Sequence, residues 1–115
     1  MIFNFIIVFI CSLTGIILLI GGFLFKKYPP KKINPWYGYR TKRSMKNQER
    51  WVFAQRTASK NHIKYSLIPL FSSFLGFLIE EKYVGWSFAI VTVSILSWAF
   101  LTIYKTEIQL KQRFD

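Results

Sequence analysis

The stretch IFNFIIVFICSLTGIILLIGGFLF (residues 2–25) decides the fold, because it carries no charge over 24 positions. As a helix it is about 36 Å long, which is enough to cross a hydrocarbon core of about 30 Å. A cleaved signal peptide is the competing interpretation, but no basic region precedes the apolar run and no small-x-small site follows it. We therefore expect residues 2–25 to form a retained membrane span.

The remaining apolar segments predict two further spans. Residues 83–104 are uncharged over 22 positions, about 33 Å of helix. Residues 63–79 would cover about 26 Å, provided that the charged end of Lys64 reaches the headgroups. Pro69 and Gly76 do not forbid this span, because neighbouring helices can satisfy freed backbone groups. The sequence thus predicts an all-α, polytopic membrane protein with three transmembrane helices in one domain (residues 1–115).

Positive charge is concentrated between the first two expected spans. The chain has 16 basic and five acidic residues, and 12 of the basic ones lie between positions 26 and 64 with a single acid, Glu49. Short loops rich in Lys and Arg stay in the cytoplasm, so segment 26–62 is expected there. The tail after Tyr104 is also basic. Three spans place both basic regions on one side, with the N-terminus outside and the C-terminus inside.

The basic segment divides into an extended part and a helical part. Three prolines in KKYPPKKINPWYGYRTKR (residues 26–43) keep the chain extended, and Gly38 predicts a tight turn. From Ser44, a candidate N-cap, no proline or glycine occurs for 22 residues. Helical spacing places six residues on one face, opposite most of the cations: Trp51, Ala54, Gln55, Ala58, His62 and Tyr65. This pattern predicts a cytoplasmic amphipathic helix that leads into the second span, with its basic face toward anionic headgroups.

Small residues indicate where the spans approach one another, because close contact is what holds helices together in lipid. The candidates are Cys11 and Gly15 in the first span, Ser73 and Gly76 in the second, and Gly85 and Ala89 in the third. No ionisable residue lies inside the first or third span, which disfavours a pump or a coupled transporter.

A longer motif covers residues 30–54. It has the form I-N-x-x-Y-G-Y-R-T-x-x-S-M, followed by a Trp and an Ala about one and two turns into a helix. This motif resembles the signature of the SdpI family of bacterial immunity proteins. The resemblance implies a multi-pass protein of the bacterial plasma membrane that protects its producer from a secreted peptide toxin. It also implies a signalling role, in which the toxin-bound protein holds a cytoplasmic repressor at the membrane. Fuller members of the family have more spans than this chain.

The resemblance supplies the candidate binding residues, which are Asn34, Tyr37, Gly38, Tyr39, Arg40, Thr41, Ser44, Met45 and Trp51. Arg40 is expected to make the most directional contact, since its guanidinium has five donors. The expected function is immunity or resistance to a membrane-active peptide toxin. The alternatives are a membrane docking or signalling module that recruits a cytoplasmic partner through the basic segment, and a small structural or channel subunit.

The residue inventory sets the expectations for chemistry and partners. No nucleophile–base pair, phosphate loop or paired carboxylates within the membrane are present in the sequence, so we expect no enzymatic activity and no cofactor. His62 is a lone histidine and Cys11 a lone cysteine, so no metal site is expected. The expected partners are anionic membrane lipids, a peptide toxin and a cytoplasmic regulator. Nucleic acid is not expected, because membrane topology accounts for the basic charge, and self-association stays open.

Overall fold

The computed structural model describes residues 3–115, and within this range the chain is all-helical. Helix α1 spans Phe5–Lys27, α2 spans Gln48–Ser72 and α3 spans Val84–Phe114, with a short 3-10 helix at Ser73–Phe77. The molecule is elongated, with extents of 53 × 25 × 20 Å. Helix α2 packs against both α1 and α3. The predicted all-α class is confirmed for the described residues; Ile2, the first residue of the expected first span, lies outside them.

Two of the helices, α1 and α3, are long and apolar enough to cross a membrane. Their outward faces are lined with exposed large apolar residues, for example Phe9, Ile17 and Phe100. Exposed apolar residues concentrated on one face in this way are typical of a surface that contacts a membrane or a partner. We refer below to residues 3–25, 63–79 and 83–104 as the apolar section, and to residues 26–62 and 105–115 as the basic end.

Glycines hold the helices of the apolar section close together. A Cβ added at Gly15 would lie 2.7 Å from the Leu70 backbone, and one at Gly76 would overlap a methyl group of Val8. Both glycines, as well as Cys11, are buried as the sequence predicted. The prediction is wrong for Gly85, which has nothing within 4 Å of an added Cβ. The buried residues of α3 are mainly hydroxyl-bearing, together with Val91 and Leu110.

Asn4 connects the helices at the end of the apolar section that lies farthest from the basic end. Its side chain caps α1 by accepting from the Ile7 N–H and donates to Ser87 Oγ at 2.7 Å, while its backbone N–H donates to the Gly76 carbonyl at 2.7 Å. Asn4 is fully buried. A buried polar side chain is stable only when its hydrogen bonds are made, so this residue fixes the relative positions of α1, α3 and the 3-10 helix.

Three expected boundaries differ from the structure. The helix of the basic segment begins at Gln48 with Asn47 as its N-cap, not at Ser44, because Ser44 is used in the preceding turn. Helix α3 continues to Phe114, ten residues beyond the expected end of the third span. Helix α2 ends at Ser72, before the expected end of the second span at residue 79, and a 3-10 helix follows it. In the basic end, the beginning of α2 and the end of α3 form a two-helix layer onto which the proline-rich loop packs.

Candidate functional site

The loop of residues 28–47 starts with a turn built by Asn34. Its side-chain oxygen accepts from the backbone N–H groups of Trp36 and Tyr37, at 2.9 and 2.7 Å. Such turns satisfy backbone donors in a segment without regular structure. The Tyr37 hydroxyl donates to the Tyr28 carbonyl at 2.7 Å and its ring packs against Phe25. The turn thereby carries Tyr37 back to the end of α1.

Gly38 occupies a position that requires glycine. Its φ is +105°, in a region that residues with a side chain rarely adopt. An added Cβ would also lie 2.6 Å from Gln55 Oε1 and 2.6 Å from Pro30 Cγ. The predicted turn at Gly38 is thus present, and it directs Tyr37 and Tyr39 to different surroundings.

Tyr39 is anchored at both its backbone and its side chain. The Gln55 side-chain amide accepts from the Tyr39 N–H at 2.7 Å and donates to the Tyr39 carbonyl at 2.8 Å. The Tyr39 hydroxyl donates to Glu107 Oε2 at 2.7 Å. Burial and the Glu107 carboxylate raise the pKa of this hydroxyl well above its ordinary value, because both disfavour the phenolate. Tyr39 therefore stays protonated and joins the loop to both α2 and α3.

A second turn follows at Thr41–Ser44. The Thr41 N–H donates to Ser44 Oγ at 2.8 Å, and Ser44 Oγ lies 3.1 Å from the Tyr39 carbonyl. The Thr41 hydroxyl donates to Glu107 at 3.1 Å, and the Met45 N–H closes the turn on the Thr41 carbonyl. Ser44 is fully buried, so its role here is to hold the loop rather than to begin a helix.

Trp51 and Arg40 differ in their surroundings. Trp51 is completely buried and its Nε1–H donates to the Pro30 carbonyl at 2.8 Å. It therefore fastens the start of the loop to α2. Arg40 is exposed and donates to the Pro35 carbonyl within the loop. The guanidinium has five N–H donors, and Pro35 is the one acceptor that it meets among the described residues.

Ion pairs connect the last residues of the chain to the loop and to the beginning of α2. Asp115 accepts from Arg50 Nη2 at 2.5 Å and from Arg43 Nε at 2.9 Å, and Arg43 also lies 3.5 Å from Glu107. These hydrogen bonds lower the pKa of Asp115 to about 2. The expected amphipathic helix has its cations on the face toward the headgroups, and this is wrong for Arg50, which is buried and paired with Asp115 at the end of the chain's third helix.

A cleft of about 560 Å³ lies where the loop meets the helices. Tyr37, Gly38 and Tyr39 form its wall at the basic end, and α1, α2 and α3 supply the rest. The polar groups of its lining are internally bonded: His62 Nε2 pairs with the Leu18 carbonyl at 2.8 Å, and the Thr102 hydroxyl donates to the Trp98 carbonyl at 2.7 Å. The hydroxyls of Tyr37 and Tyr39 and the indole N–H of Trp98 also have acceptors within the protein. The cleft therefore presents a largely apolar surface.

The structure brings some of the expected site residues together and separates others. Tyr37, Gly38 and Tyr39 line the cleft, while Thr41, Ser44 and Trp51 support the loop behind it. Asn34, Arg40 and Met45 lie outside the cleft. The sequence reasoning missed Glu107, which receives both Tyr39 and Thr41. A signal was present, since Glu107 and Asp115 are two of only five acids and follow the third expected span on the basic side.

The comparisons with known proteins agree with this architecture. Residues 31–105 match the SdpI/YfhL protein family. The chain is also 33% identical over 97 residues to the uncharacterized protein YfhL of Bacillus subtilis (strain 168), a match that covers 84% of this chain and 82% of that protein. No solved structure matches. With two helices able to cross a membrane, these findings indicate a membrane protein. The chain belongs to the SdpI/YfhL family.

Proposed function

We propose that this protein confers immunity to a secreted, membrane-active peptide toxin in the bacterial plasma membrane. In this proposal residues 2–25, 63–79 and 83–104 cross the bilayer, with the N-terminus outside and the basic end in the cytoplasm. The family membership supports the general assignment. The observation that carries the proposal is the apolar cleft at Tyr37–Tyr39, because it joins the loop to the helices at the level where a membrane-inserted peptide would reach the inner surface.

The chemistry of the cleft suits a hydrophobic peptide. Its lining includes Leu24 and Ile103, both about half exposed, so the cleft is open to the surrounding lipid at its rim. Its internal polar groups are already bonded, so a polar ligand would find few partners, whereas apolar side chains would be removed from contact with headgroups and water. Binding there would hold the peptide as a complex with the protein and prevent it from forming a conducting lesion.

A survival assay with a matched pair of variants tests the proposal. The protein is expressed in a toxin-sensitive bacterium, which is challenged with peptide toxins while membrane potential and growth are followed. Ala99→Phe places a ring in the cleft, whereas Ala89→Phe makes the same change on an exposed face of the same helix. We expect wild type and Ala89→Phe to protect, and equally abundant Ala99→Phe to fail. Equal protection by both variants would exclude the cleft, and no protection by wild type would exclude immunity.

Arg40→Ala supplies a second comparison in the same assay. Arg40 is exposed and bonds only within the loop among the described residues. If its guanidinium contacts the toxin or a signalling partner, the variant will accumulate normally but protect less well. If Arg40→Ala protects as well as wild type, the role of the Arg40 side chain is to stabilise the loop.

A second candidate function is recruitment of a cytoplasmic regulator such as a repressor. The observation that favours it is Trp36, which is 86% exposed on the basic loop although large aromatic side chains usually bury most of their surface. A photocrosslinker at position 36 should then capture one defined protein, and more of it after exposure to toxin. Trp51, which the sequence suggested for this purpose, is buried and unsuitable. Capture of lipid alone would contradict the docking function.

A further inference from the structure

A second cleft lies on the other side of the loop, between the end of α1 and the first half of α2. It has a volume of about 230 Å³ and is lined by four cationic residues, Lys26, Lys31, Arg56 and Lys60. All four are exposed. No acidic residue lines this cleft. Positive charge therefore accumulates around a concave surface, which focuses the field and attracts anions.

These four cations have no protein counter-ion among residues 3–115. The ion pairs there involve Arg43, Arg50 and Lys82, and none of the four. The contrast with the opposite flank is direct. There, a cleft contains Lys42, Arg43, Lys46 and Arg50 but also Glu107 and Asp115, which neutralise part of the charge. Like charges gathered without a counter-ion repel one another, and a bound anion would remove that repulsion.

The position of the cleft and its apolar lining indicate which kind of anion it would bind. Lys26 is in the last turn of α1, directly after the uncharged run of residues 5–25. Pro29, Pro30 and Val52 contribute apolar surface beside the cations. A ligand with a phosphate joined to an apolar body matches this combination, since its phosphate would meet the cations while its glycerol and acyl parts cover the apolar surface.

We infer that the cleft of Lys26, Lys31, Arg56 and Lys60 binds the phosphate of an anionic phospholipid headgroup. The inference rests on the membrane placement in the proposed function, but it concerns a different surface from the apolar cleft. A bound lipid would connect the end of α1 to α2 and to Pro30, whose carbonyl is held by Trp51. The lipid thereby stabilises the loop that carries Tyr37–Tyr39.

Thermal unfolding of the purified full chain in neutral detergent tests the inference. Cys11 is the chain's single cysteine and is buried, so a thiol-reactive dye reports unfolding. The probes are dihexanoyl-phosphatidylglycerol, dihexanoyl-phosphatidylcholine and glycerol phosphate, each titrated to find the concentration that gives half of the maximal stabilisation. We expect phosphatidylglycerol to stabilise wild type at the lowest concentration.

Two sets of variants distinguish lipid binding in the cleft from a general attraction by net positive charge. Changing Lys26, Lys31, Arg56 and Lys60 to Gln should raise the half-saturating phosphatidylglycerol concentration at least about tenfold, since each charge near a headgroup contributes to attraction. The matched control changes Lys42, Lys46, Lys105 and Lys111 to Gln, which removes the same charge elsewhere, and should alter it less than about twofold. If the first variant is unstable without lipid, Arg56→Gln with Lys60→Gln, both on the exposed side of α2, replaces it.

Each other outcome overturns the inference. An equal loss in both quadruple variants means that binding follows net charge and not the cleft. Equal stabilisation by phosphatidylcholine means that the anionic headgroup is not recognised. Equal stabilisation by glycerol phosphate, lost in the cleft variant, assigns the site to a soluble phosphate. Because no toxin is present, these results are independent of the survival assay, in which Ala99→Phe leaves all four cations unchanged.

Discussion

The apolar section and the basic end are held together by different forces. In the apolar section the helices meet through glycines, and most hydroxyls bond to carbonyls of their own helix, as Ser66 and Ser94 do. In the basic end, side chains such as Gln55 and Glu107 bond to residues distant in sequence. The reason is that helices satisfy their own backbone groups, whereas an irregular loop depends on side chains from its neighbours.

The largest expected effect of a substitution is therefore in the basic end, at Trp51. Trp51→Ala should lower the free energy of unfolding by about 3–5 kcal/mol, because it removes a fully buried ring and leaves the Pro30 carbonyl without its donor. Thermal and denaturant unfolding in detergent, followed by dye reaction at Cys11, measures the loss. Trp51→Phe keeps most of the packing and should lose less. If Trp51→Ala unfolds like wild type, the loop does not depend on this anchor.

In the apolar section, two glycines test whether close helix packing contributes to stability, because Gly15 lies at a helix contact and Gly85 does not. Gly15→Ala should lower the free energy of unfolding by about 1–3 kcal/mol, since the new Cβ would lie 2.7 Å from the Leu70 backbone and force α1 and α2 apart. The Cβ of Gly85→Ala meets nothing within 4 Å. This variant should leave the free energy of unfolding unchanged, or raise it by less than about 1 kcal/mol. Equal effects in the two variants would show that close approach does not hold the section.

The contact between the loop and α3 should have an intermediate effect. Glu107→Gln weakens the acceptor for Tyr39 and Thr41 and removes the ion pair with Arg43. It should therefore lower the free energy of unfolding by about 1.5 kcal/mol. A double-mutant cycle with Tyr39→Phe isolates the hydrogen bond, and we expect the two effects to be clearly non-additive. Additive effects would mean that the two side chains act independently.

The smallest effect should come from Asp115 and should depend on pH. Its pKa is about 2 in the folded protein, against an ordinary value of 3.8, so the folded state binds the proton less readily than the unfolded state. The stabilisation is complete above pH 3.8 and disappears as the pH falls through about 2. The melting temperature of Asp115→Asn should therefore be slightly below that of wild type at pH 6, and the difference should vanish near pH 2. A constant difference would exclude the carboxylate as its cause.

The sequence predicted the two long apolar helices well, because the signal there is local, whereas the expected second span 63–79 is only in part α-helical, since α2 ends at Ser72. An uncharged run long enough to cross a bilayer specifies a helix by itself, and α1 and α3 follow the expected spans 2–25 and 83–104 closely at most ends. The placement of small residues was predicted only in part, since Gly15 and Gly76 are at contacts and Gly85 is not. Which face of a helix meets a neighbour depends on the neighbour, and a single helix does not contain that information.

The basic end was harder to predict, for the same physical reason. Gly38 was identifiable as a turn, because glycine's backbone freedom is a property of the residue itself. Ser44 was assigned to a helix start, and Asn47 took that place because the loop needed the Ser44 hydroxyl for its own turn. A cap is a competition between residues, and the loop's path around α2 decided it.

By itself, then, the sequence determined the helical class, the long apolar helices and the concentration of charge on one part of the chain. Only the tertiary structure placed Glu107 and Asp115 against residues more than sixty positions earlier, and only it distributed the cations between a partly neutralised flank and an unpaired one. Hydrophobic length and net charge are sums over neighbouring residues, which a sequence displays directly. Pairing and cleft formation depend on distances between segments, and those exist only once the chain has folded.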